Sequence, residues 1–256
     1  MVTISFLNLK GGVGKTTCSL NVAVGLADRG KRVLLIDYAY NGDATSEFFE
    51  EAPGFTISDV LRGKESINDV IAKVEDNLSF IPGNQSLYAD AQYQIYDQPQ
   101  ESQYNILKKA LLPVQDQYDY CIIDCYEDPG VINDNALLAS DILIIPATGD
   151  MGSLKGIGKL YGLVKQLRKK MELNLESYIL FNITPNIKDA KFIINVVRAM
   201  LGDIVFKTQI KYQPKAYYKD IIVIRDGSTD ISKGYFDLVD EILDKFTNAK
   251  METIKC

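Results

Sequence analysis

A glycine-rich segment between a strand pattern and a helix pattern constrains this chain more than any other feature. The segment from Asn8 to Thr17 reads NLKGGVGKTT, follows the apolar run Ile4 to Leu7, and leads into a helical pattern at about Thr16. Glycines let successive backbone N–H groups curl around an anion at a helix N-terminus, where the helix dipole favours negative charge. The order of strand, glycine loop and helix therefore predicts an α/β fold with an anion-binding loop after its first strand.

Strand and helix patterns alternate along the rest of the chain. Strands are predicted at Thr3 to Leu7, Val33 to Ile36, Leu78 to Ile81, Tyr120 to Ile123, Ile142 to Ile145, Tyr178 to Phe181 and Ile221 to Ile224. Helices are predicted at Thr16 to Asp28, Leu154 to Met171, Phe192 to Leu201 and Ile231 to Phe246. This alternation is typical of a mainly parallel central sheet covered by helices on both faces. Since no repeat or linker interrupts it, we expect the 256 residues to form one domain.

The composition excludes several classes of protein. No apolar run approaches the roughly 20 residues of a membrane span, and the N-terminus lacks the basic segment and cleavage site of a signal peptide, so the sequence predicts a cytoplasmic protein. Histidine is absent, which excludes histidine-based acid–base catalysis and argues against a zinc site. The four scattered cysteines favour reduced thiols over a disulfide framework. They are Cys18, Cys121, Cys125 and Cys256.

The net charge of −6 conceals an asymmetry between the two parts of the chain. Residues 1–150 carry 10 basic and 22 acidic side chains, whereas residues 151–256 carry 18 basic and 12 acidic ones. A basic surplus of this kind is found on surfaces that face a polyanion, and also on solvated surfaces with no partner. Charge alone leaves both interpretations open.

The end of the glycine loop carries the residue types that hold nucleotide phosphates. Gly14, Lys15 and Thr16 match the invariant end of the pattern G-x-x-x-x-G-K-[ST], although Leu9 stands in place of its first glycine. We expect Lys15 to reach the β- and γ-phosphates of ATP and the Thr16 hydroxyl to ligate Mg²⁺. A glycine turn without function is the alternative, and the strand before it and the helix after it argue against that interpretation.

Two more strand ends carry carboxylates. Asp37 follows VLLI and Asp124 follows YCII. Ligands of parallel sheets bind beyond the carboxyl ends of the strands, so these residues are expected near the glycine loop. Because an acidic residue holds the Mg²⁺ shell in P-loop proteins, Asp124 is assigned to the metal, and Asp37 is assigned to the same site as a metal ligand and catalytic residue. Each could instead be a turn or cap residue.

The chain resembles the ParA/MinD family of P-loop ATPases. KGGVGKTT resembles the deviant Walker A motif of that family, and RVLLIDYAYNGDATS and YDYCIIDCYEDPGVINDNALLASDILIIP resemble its second and third signatures. The similarity continues through FTISDVLRGKESI, LSFIPGN and LKGIGKLYGLVKQL. It therefore spans nearly the whole sequence. The pattern is nearest to the short ParA/Soj-like partition ATPases, which lack an additional N-terminal DNA-reading domain.

The resemblance implies a role for each residue of the loop. In this family the lysine matching Lys10 crosses to the nucleotide of the other subunit, which implies an ATP-dependent homodimer; the alternative is an ordinary solvent-facing lysine. The strand-end Asn182 is a candidate for contact with adenine, or else a turn residue. The implied nucleotide-binding residues of the loop are Lys10, Gly11, Gly12, Val13, Gly14, Lys15, Thr16 and Thr17.

The second signature departs from the family pattern at a functional position. Family members typically read D-x-D-P-Q-G-N-A-T where this chain reads DYAYNGDAT, so Ala39 stands where the second aspartate orients the attacking water. A methyl group neither accepts a proton nor holds a water. We therefore expect ATP binding and dimer closure to persist while hydrolysis falls by about 100-fold or more. Another carboxylate could compensate, and the candidates are Asp43, Glu127 and Asp128.

The resemblance also implies partners. The short partition ATPases bind DNA without sequence preference, associate with the nucleoid, and respond to a ParB-like centromere-binding protein. The implied DNA-binding residues here are Lys211, Lys215, Lys219, Arg198 and Arg225. Contacts of this kind depend on charge and weaken steeply with salt. The family's usual Pro-Arg pair is missing from IKYQPK, Ile210 to Lys215, which puts the carried-over adenine contacts in doubt.

Three other functions share parts of this pattern. A natural switch that uses ATP without hydrolysing it fits Ala39 equally well. MinD-like relatives bind membranes through a basic amphipathic C-terminal helix, but the last helix here has an acidic polar face, so its apolar stripe is assigned to the core. Nitrogenase-type iron proteins hold a cluster on cysteines at a dimer face, and we expect Cys121 and Cys125 to be structural instead.

Overall fold

The computed structural model of the protein describes residues 1–51, 53–171, 173–212 and 222–253. Its strands are β1 (Val2–Phe6), β2 (Val33–Tyr38), β3 (Ala72–Glu75), β4 (Leu78–Ile81), β5 (Tyr120–Cys125), β6 (Ile142–Ala147), β7 (Glu176–Thr184) and β8 (Val205–Lys211). They form one eight-stranded sheet in the order β3-β4-β2-β5-β1-β6-β7-β8. All neighbouring strands are parallel except the pair β3 and β4. The predicted mainly parallel α/β sheet is confirmed.

Helices cover both faces of this sheet. They are α1 (Lys15–Asp28), α2 (Asp43–Phe48), α3 (Ile57–Leu61), α4 (Ile67–Val70), α5 (Gln92–Tyr96), α6 (Ile106–Leu111), α7 (Val131–Ala139), α8 (Met151–Lys170), α9 (Lys188–Leu201) and α10 (Asp230–Thr253). One apolar cluster joins the sheet to α1 and α10, and a second joins the opposite face to helices that include α7, α8 and α9. The strands are apolar on both sides because both sides are buried.

The final helix uses its apolar stripe in the core. Leu238, Val239, Ile242 and Phe246 of α10 are buried in the cluster that contains α1. This confirms the predicted assignment of the stripe to core packing. Within the described ranges, no helix combines the length and the apolar composition that crossing a membrane requires.

The structure differs from the sequence-based prediction at three strands. The sequence patterns do not predict β3 and β8, which are both edge strands. No residue of β3 is buried, and only Val205, Phe206 and Ile210 of β8 are buried, so neither strand has a continuous apolar run. The strand predicted at Ile221 to Ile224 is wrong for its described part, because Ile224–Asp226 forms a 3₁₀ turn. The backbone N–H groups of Val223 and Ile224 both donate to Oδ1 of Asn21 on α1, at 2.8 Å each, and this side chain replaces a strand partner.

The order of the central strands brings the predicted strand ends together. Strand β1 lies between β5 and β6, and β5 lies between β1 and β2. Asp124 of β5 is in register with Phe6 on one side and with Asp37 on the other. The glycine loop that follows β1 therefore starts beside the two carboxylates, at the carboxyl edge of the sheet where ligands of such folds bind.

Candidate nucleotide-binding site

The backbone of the glycine loop requires glycine at two positions. Gly12 and Gly14 have φ angles of 72° and 81°, in the left-handed region that side chains disfavour. A Cβ on Gly14 would also lie 2.4 Å from Nδ2 of Asn182. Helix α1 begins at the next residue, so its free N–H groups and positive dipole end point into the loop. The loop therefore has the geometry that the sequence predicts for an anion-binding cradle.

Two buried asparagines hold the glycine loop in place by hydrogen bonds. Asn8 donates from Nδ2 to the carbonyl of Pro146 at 2.7 Å, and its Oδ1 accepts the N–H of Lys10 at 3.1 Å. Asn182 donates to the carbonyl of Val13 at 2.8 Å. Asn182 is almost completely buried, and this contact gives it a bracing role. Its predicted contact with adenine stays a prediction.

Lys15 lies buried at the base of the loop and contacts a carboxylate. Its side chain is 8% exposed, and its Nζ donates to Oε2 of Glu127 at 2.9 Å. The other oxygen of Glu127 lies 3.3 Å from the position of a Cβ on Gly11. The carboxylate therefore lies over the glycines, in the region where a phosphate would meet the same lysine. No sequence pattern predicts this pairing, which joins positions 112 residues apart.

Asp124 has the properties of a metal ligand. It is completely buried, and neither carboxylate oxygen has a hydrogen-bond partner among the described residues. Burial, and next the charge of Asp37, raise the pKa of Asp124 to about 8. The nearby hydroxyls of Thr16 and Ser19 and the charge of Lys15 lower it in part without completing a hydrogen bond. A divalent cation with oxygen ligands would satisfy both orphan oxygens and offset the repulsion, so these residues fit Mg²⁺.

Asp37 is engaged by its own loop. Its Oδ1 accepts the N–H of Ala39 at 3.1 Å, and its Oδ2 accepts both the N–H and the hydroxyl of Thr45 at 2.8 and 2.7 Å. Burial raises the pKa of Asp37, while these hydrogen bonds oppose the shift. Gly83 packs so closely that a Cβ there would lie 2.4 Å from the carbonyl oxygen of Asp37. Asp37 therefore anchors the segment between β2 and α2, and its role at the metal stays a prediction.

Ala39 lies in this anchored segment. It is 4% exposed, and its N–H is held by Asp37. Of the three carboxylates that are candidates to compensate for it, Asp43 and Asp128 are exposed and Glu127 contacts Lys15. Glu127 is thus the candidate with a direct contact to the glycine loop among the described residues.

Lys10 lies at the rim of the loop in a polar cluster. Its side chain is 34% exposed, and its Nζ donates to Oδ2 of Asp150 at 2.7 Å, with the hydroxyls of Thr148 and Ser153 at 3.2 and 3.3 Å. Asp150 is also the N-cap of α8 and accepts the N–H of Ser153 at 2.9 Å. Burial of Asp150 disfavours its ionisation, but these hydrogen bonds outweigh the effect and lower its pKa to about 2.

The described residues among those predicted to bind DNA, Arg198, Lys211 and Arg225, do not form one surface. Arg225 pairs with Glu75 on the edge strand β3 at 2.5 Å, whereas Lys211 ends β8 at the opposite edge of the sheet. Arg198 donates to backbone carbonyls at the start of β8. Lys215 and Lys219 lie outside the described residues. Arg225 in particular is neutralised by carboxylates of its own chain.

The cysteines are placed as the structural interpretation expects. Cys18, Cys121 and Cys125 are buried and form no disulfide, and Cys256 lies outside the described residues. Burial raises the pKa of Cys18 to about 12, and it raises the pKa values of the other two further. Thiols held so firmly in the neutral form are poor nucleophiles and poor metal ligands.

The glycine loop, its buried lysine and the parallel sheet define the P-loop class of nucleotide-binding proteins. Residues 1–177 match the model of a family described as an AAA domain. The sporulation initiation inhibitor protein Soj of Bacillus subtilis is 33% identical, over 93% of this chain and 97% of that protein. The chromosome-partitioning ATPase Soj of Treponema pallidum is 34% identical, over 81% of this chain and 82% of that protein. The chain belongs to the ParA/MinD family of P-loop ATPases.

A solved structure supports the same fold. The putative plasmid partition protein of Borrelia burgdorferi B31, bound to AMPPNP, is 25% identical and superposes with a TM-score of 0.80. The match covers 96% of this chain and 99% of that one. The whole sheet with its covering helices is therefore shared.

Proposed function

We propose that the protein is a DNA-partition ATPase that binds ATP and Mg²⁺ in the glycine loop, closes into a homodimer and then binds DNA without sequence preference. Relatives named as Soj and as a chromosome-partitioning ATPase support this assignment. A plasmid partition protein of the same fold binds an ATP analogue. A ParB-like protein is the expected regulator, and the nucleoid is the expected location.

ATP binding rests on the loop and on the buried lysine. The N–H groups of Gly11 to Gly14 and of the first turn of α1 would surround the phosphates, and Lys15 would exchange Glu127 for phosphate oxygens. The Thr16 hydroxyl and the orphan carboxylate of Asp124 would hold the metal. A Mg²⁺ ion held by these residues would neutralise part of the phosphate charge.

The position of Lys10 carries the proposal of a dimer. Lys15 is enclosed by its own chain, while Lys10 is partly exposed at the rim and is held by a carboxylate that is itself half exposed. A γ-phosphate presented by a second chain carries more negative charge than a carboxylate and can replace Asp150 as the partner of Lys10. Closure of the dimer is then favoured while ATP is present. Hydrolysis removes the γ-phosphate and with it the contact that Lys10 makes to the second chain.

Turnover is expected to be slow because of Ala39. Its methyl group cannot orient the attacking water, and the loss of one positioned acid–base group lowers a rate by about 100-fold or more. The protein would then remain in the closed dimer with ATP and Mg²⁺. DNA binding by that dimer would persist longer than in relatives that retain the aspartate.

Restoring the carboxylate tests this proposal. Ala39→Asp should raise ATP turnover by about 100-fold, measured as phosphate release with saturating ATP and Mg²⁺. Ala39→Asn is the matched control, because it adds a side chain of similar size without an acid, and it should stay slow. If Ala39→Asp binds ATP but does not hydrolyse it faster, the machinery of hydrolysis is not intact.

Failure of Ala39→Asp to speed hydrolysis would favour a second candidate function, an ATP-dependent switch that does not hydrolyse ATP. Ala39 is buried within a hydrogen-bonded segment, as in a loop adapted to its present sequence. In this alternative the chain is a natural switch that uses ATP only to hold two copies together. Such a protein would dimerise with ATP and bind DNA, but neither the aspartate nor a ParB-like partner would stimulate hydrolysis.

A further inference from the structure

The basic surplus of residues 151–256 is concentrated on one helix. Those residues carry 18 basic and 12 acidic side chains, a surplus of six. Helix α8 carries six basic side chains and no acidic one. The remainder of that part of the chain is therefore balanced, and its basic surplus equals the charge of α8. The residues predicted from the sequence to bind DNA do not include any residue of this helix.

Four of the six basic residues form a continuous exposed face. Helix α8 has 20 residues and is therefore about 30 Å long. Its apolar side chains, such as Ile157, Leu160 and Val164, are buried against the sheet. At 100° per residue, four of its five exposed lysines lie within an arc of about 120° on the opposite side. They are Lys155, Lys159, Lys165 and Lys169.

These lysines have no partner of opposite charge within the described part of the chain. Some basic residues elsewhere are paired: Arg29 with Asp240, Arg32 with Asp119, and Arg225 with two carboxylates. Arg168 of α8 is also engaged, because it donates to the carbonyl of Leu175. None of the four lysines forms an ion pair or hydrogen bond with a described residue. Like charges left along one face repel each other unless an anion lies between them.

Two glycines on the same face of α8 are not required by packing, because a larger side chain would fit at either position. Gly156 is required, since a Cβ there would lie 2.5 Å from Oδ1 of Asn8. By contrast, a Cβ on Gly158 or Gly162 would meet nothing within 4 Å, and both residues are exposed. Glycine inside a helix is less favourable than alanine, so their position among the lysines calls for another explanation. Without side chains there, a phosphate backbone can approach the helix closely.

The geometry points to α8 as the surface that binds the phosphate backbone of duplex DNA. This inference rests on the proposed DNA binding and assigns it to Lys155, Lys159, Lys165 and Lys169. The contacts involve charge without base-edge recognition, so binding is independent of sequence. Dimerisation places two such helices on one particle and raises the affinity for a long duplex through multivalency.

A membrane surface fits this face less well. Helices that lie on membranes insert an apolar face beneath their charged residues. The apolar residues of α8 are buried or partly buried except Met151 at its first position, and glycine and glutamine separate the lysines on the exposed side. The face therefore offers charge to a polyanion without a continuous apolar surface to insert into lipid.

A fourfold variant tests the assignment. In Lys155→Gln, Lys159→Gln, Lys165→Gln and Lys169→Gln combined, glutamine retains a similar helix propensity while the charge is removed. With ATP and Mg²⁺ present, affinity for a duplex should fall by at least about tenfold at moderate salt. The slope of log affinity against log salt should become shallower by about 0.9 for each phosphate that the variant no longer neutralises.

The control changes the same number of exposed lysines elsewhere. Lys64→Gln, Lys108→Gln, Lys109→Gln and Lys233→Gln combined remove four charges from exposed positions outside α8. This control should keep most of the affinity and the original salt slope. If both variants weaken DNA binding equally, net charge is responsible and the assignment to α8 is wrong.

Two further measurements separate the ways in which the inference could fail. ATP affinity and ATP-dependent dimerisation should be unchanged in the α8 variant, since none of its four lysines contacts the glycine loop. If the unaltered protein does not bind duplex DNA, the proposed function fails. If it binds and the α8 variant binds equally well with the same slope, only this inference fails. If the protein binds anionic lipid vesicles through these lysines and does not bind DNA, the α8 face is a membrane-binding surface and the inference is wrong.

Discussion

The two lysines of the glycine loop lie five positions apart and have different surroundings. Lys15 is 8% exposed and pairs with Glu127, whose carboxylate lies over the glycines, whereas Lys10 is 34% exposed and pairs with Asp150 at the rim. An enclosed cation can contact only a ligand that is bound in the site of its own chain. A cation at the rim, held by an exposed carboxylate, can exchange that partner for an anion on another molecule. We therefore propose that one loop contains an internal and an external anion site.

Removing the internal lysine should have the largest effect. Lys15→Ala removes charge-assisted hydrogen bonds to phosphate and leaves Glu127 unpaired beside the loop, where it repels phosphate. We expect ATP and ADP affinity to fall by about 100-fold, the upper range for hydrogen bonds to a charged group. Titration calorimetry measures this, with Lys31→Ala as the control. An affinity within about threefold of the original would show that Lys15 is not the main phosphate ligand.

Removing the internal carboxylate should act in the opposite direction. Phosphate and Glu127 compete for Lys15. A competing contact that left about one tenth of the molecules competent to bind would weaken the apparent affinity about tenfold. Glu127→Gln should therefore bind ADP about tenfold more tightly. Asp128→Asn is the matched control, because it removes the same charge from the exposed neighbouring residue, and it should change little. Equal gains in both variants would indicate a general charge effect.

The external pair should give the smallest effect. Asp150→Asn removes the charge that competes for Lys10 but keeps a side chain that caps α8, because asparagine is a good N-cap. Half-maximal dimerisation should then require about threefold less ATP, in line with the small free energy of exposed ion pairs. Sedimentation velocity over an ATP series measures this shift. Unchanged thermal stability together with an unchanged ATP requirement would mean that Asp150 only caps the helix.

The pH dependence of the same variant sharpens this test. The pKa of Asp150 is lowered to about 2, so its carboxylate is ionised throughout the neutral range. The pair with Lys10 is present above the ordinary pKa of aspartate, about 4, and is lost as the pH falls through about 2. The ratio between the ATP concentrations that Asp150→Asn and the original protein need for half-maximal dimerisation should therefore stay constant between about pH 5 and pH 8.

The sequence predicts the parts of the site that depend on local order. The glycine loop, the strand ends at Asp37 and Asp124, and the parallel sheet all follow from patterns a few residues long. The partners of the two lysines do not follow from such patterns, because each pair joins positions more than 100 residues apart. Lysine and glutamate are common everywhere, so only the fold reveals which ones meet.

Two features that the sequence analysis does not predict, strand β8 and the basic face of α8, nevertheless leave a signal in the sequence. Strand β8 reads VFKTQIK, a broken alternation that is difficult to distinguish from a loop because β8 lies at the edge of the sheet. The charge of α8 is visible as six basic residues without an acidic one, but a count over half of the chain dilutes it. The sequence could not show that the lysines share one exposed face without ion partners, since that depends on what packs beside the helix.

The central claim is that Lys10 joins two copies of this chain through the γ-phosphate of ATP. Light scattering measures it directly as mass in solution with ATP and Mg²⁺, with ADP and Mg²⁺, and without nucleotide. The account predicts twice the single-chain mass with ATP and the single-chain mass in the other two conditions. It also predicts that Lys10→Ala stays a single chain in all three while still binding ATP. A single-chain mass for the original protein with saturating ATP and Mg²⁺ would contradict the account.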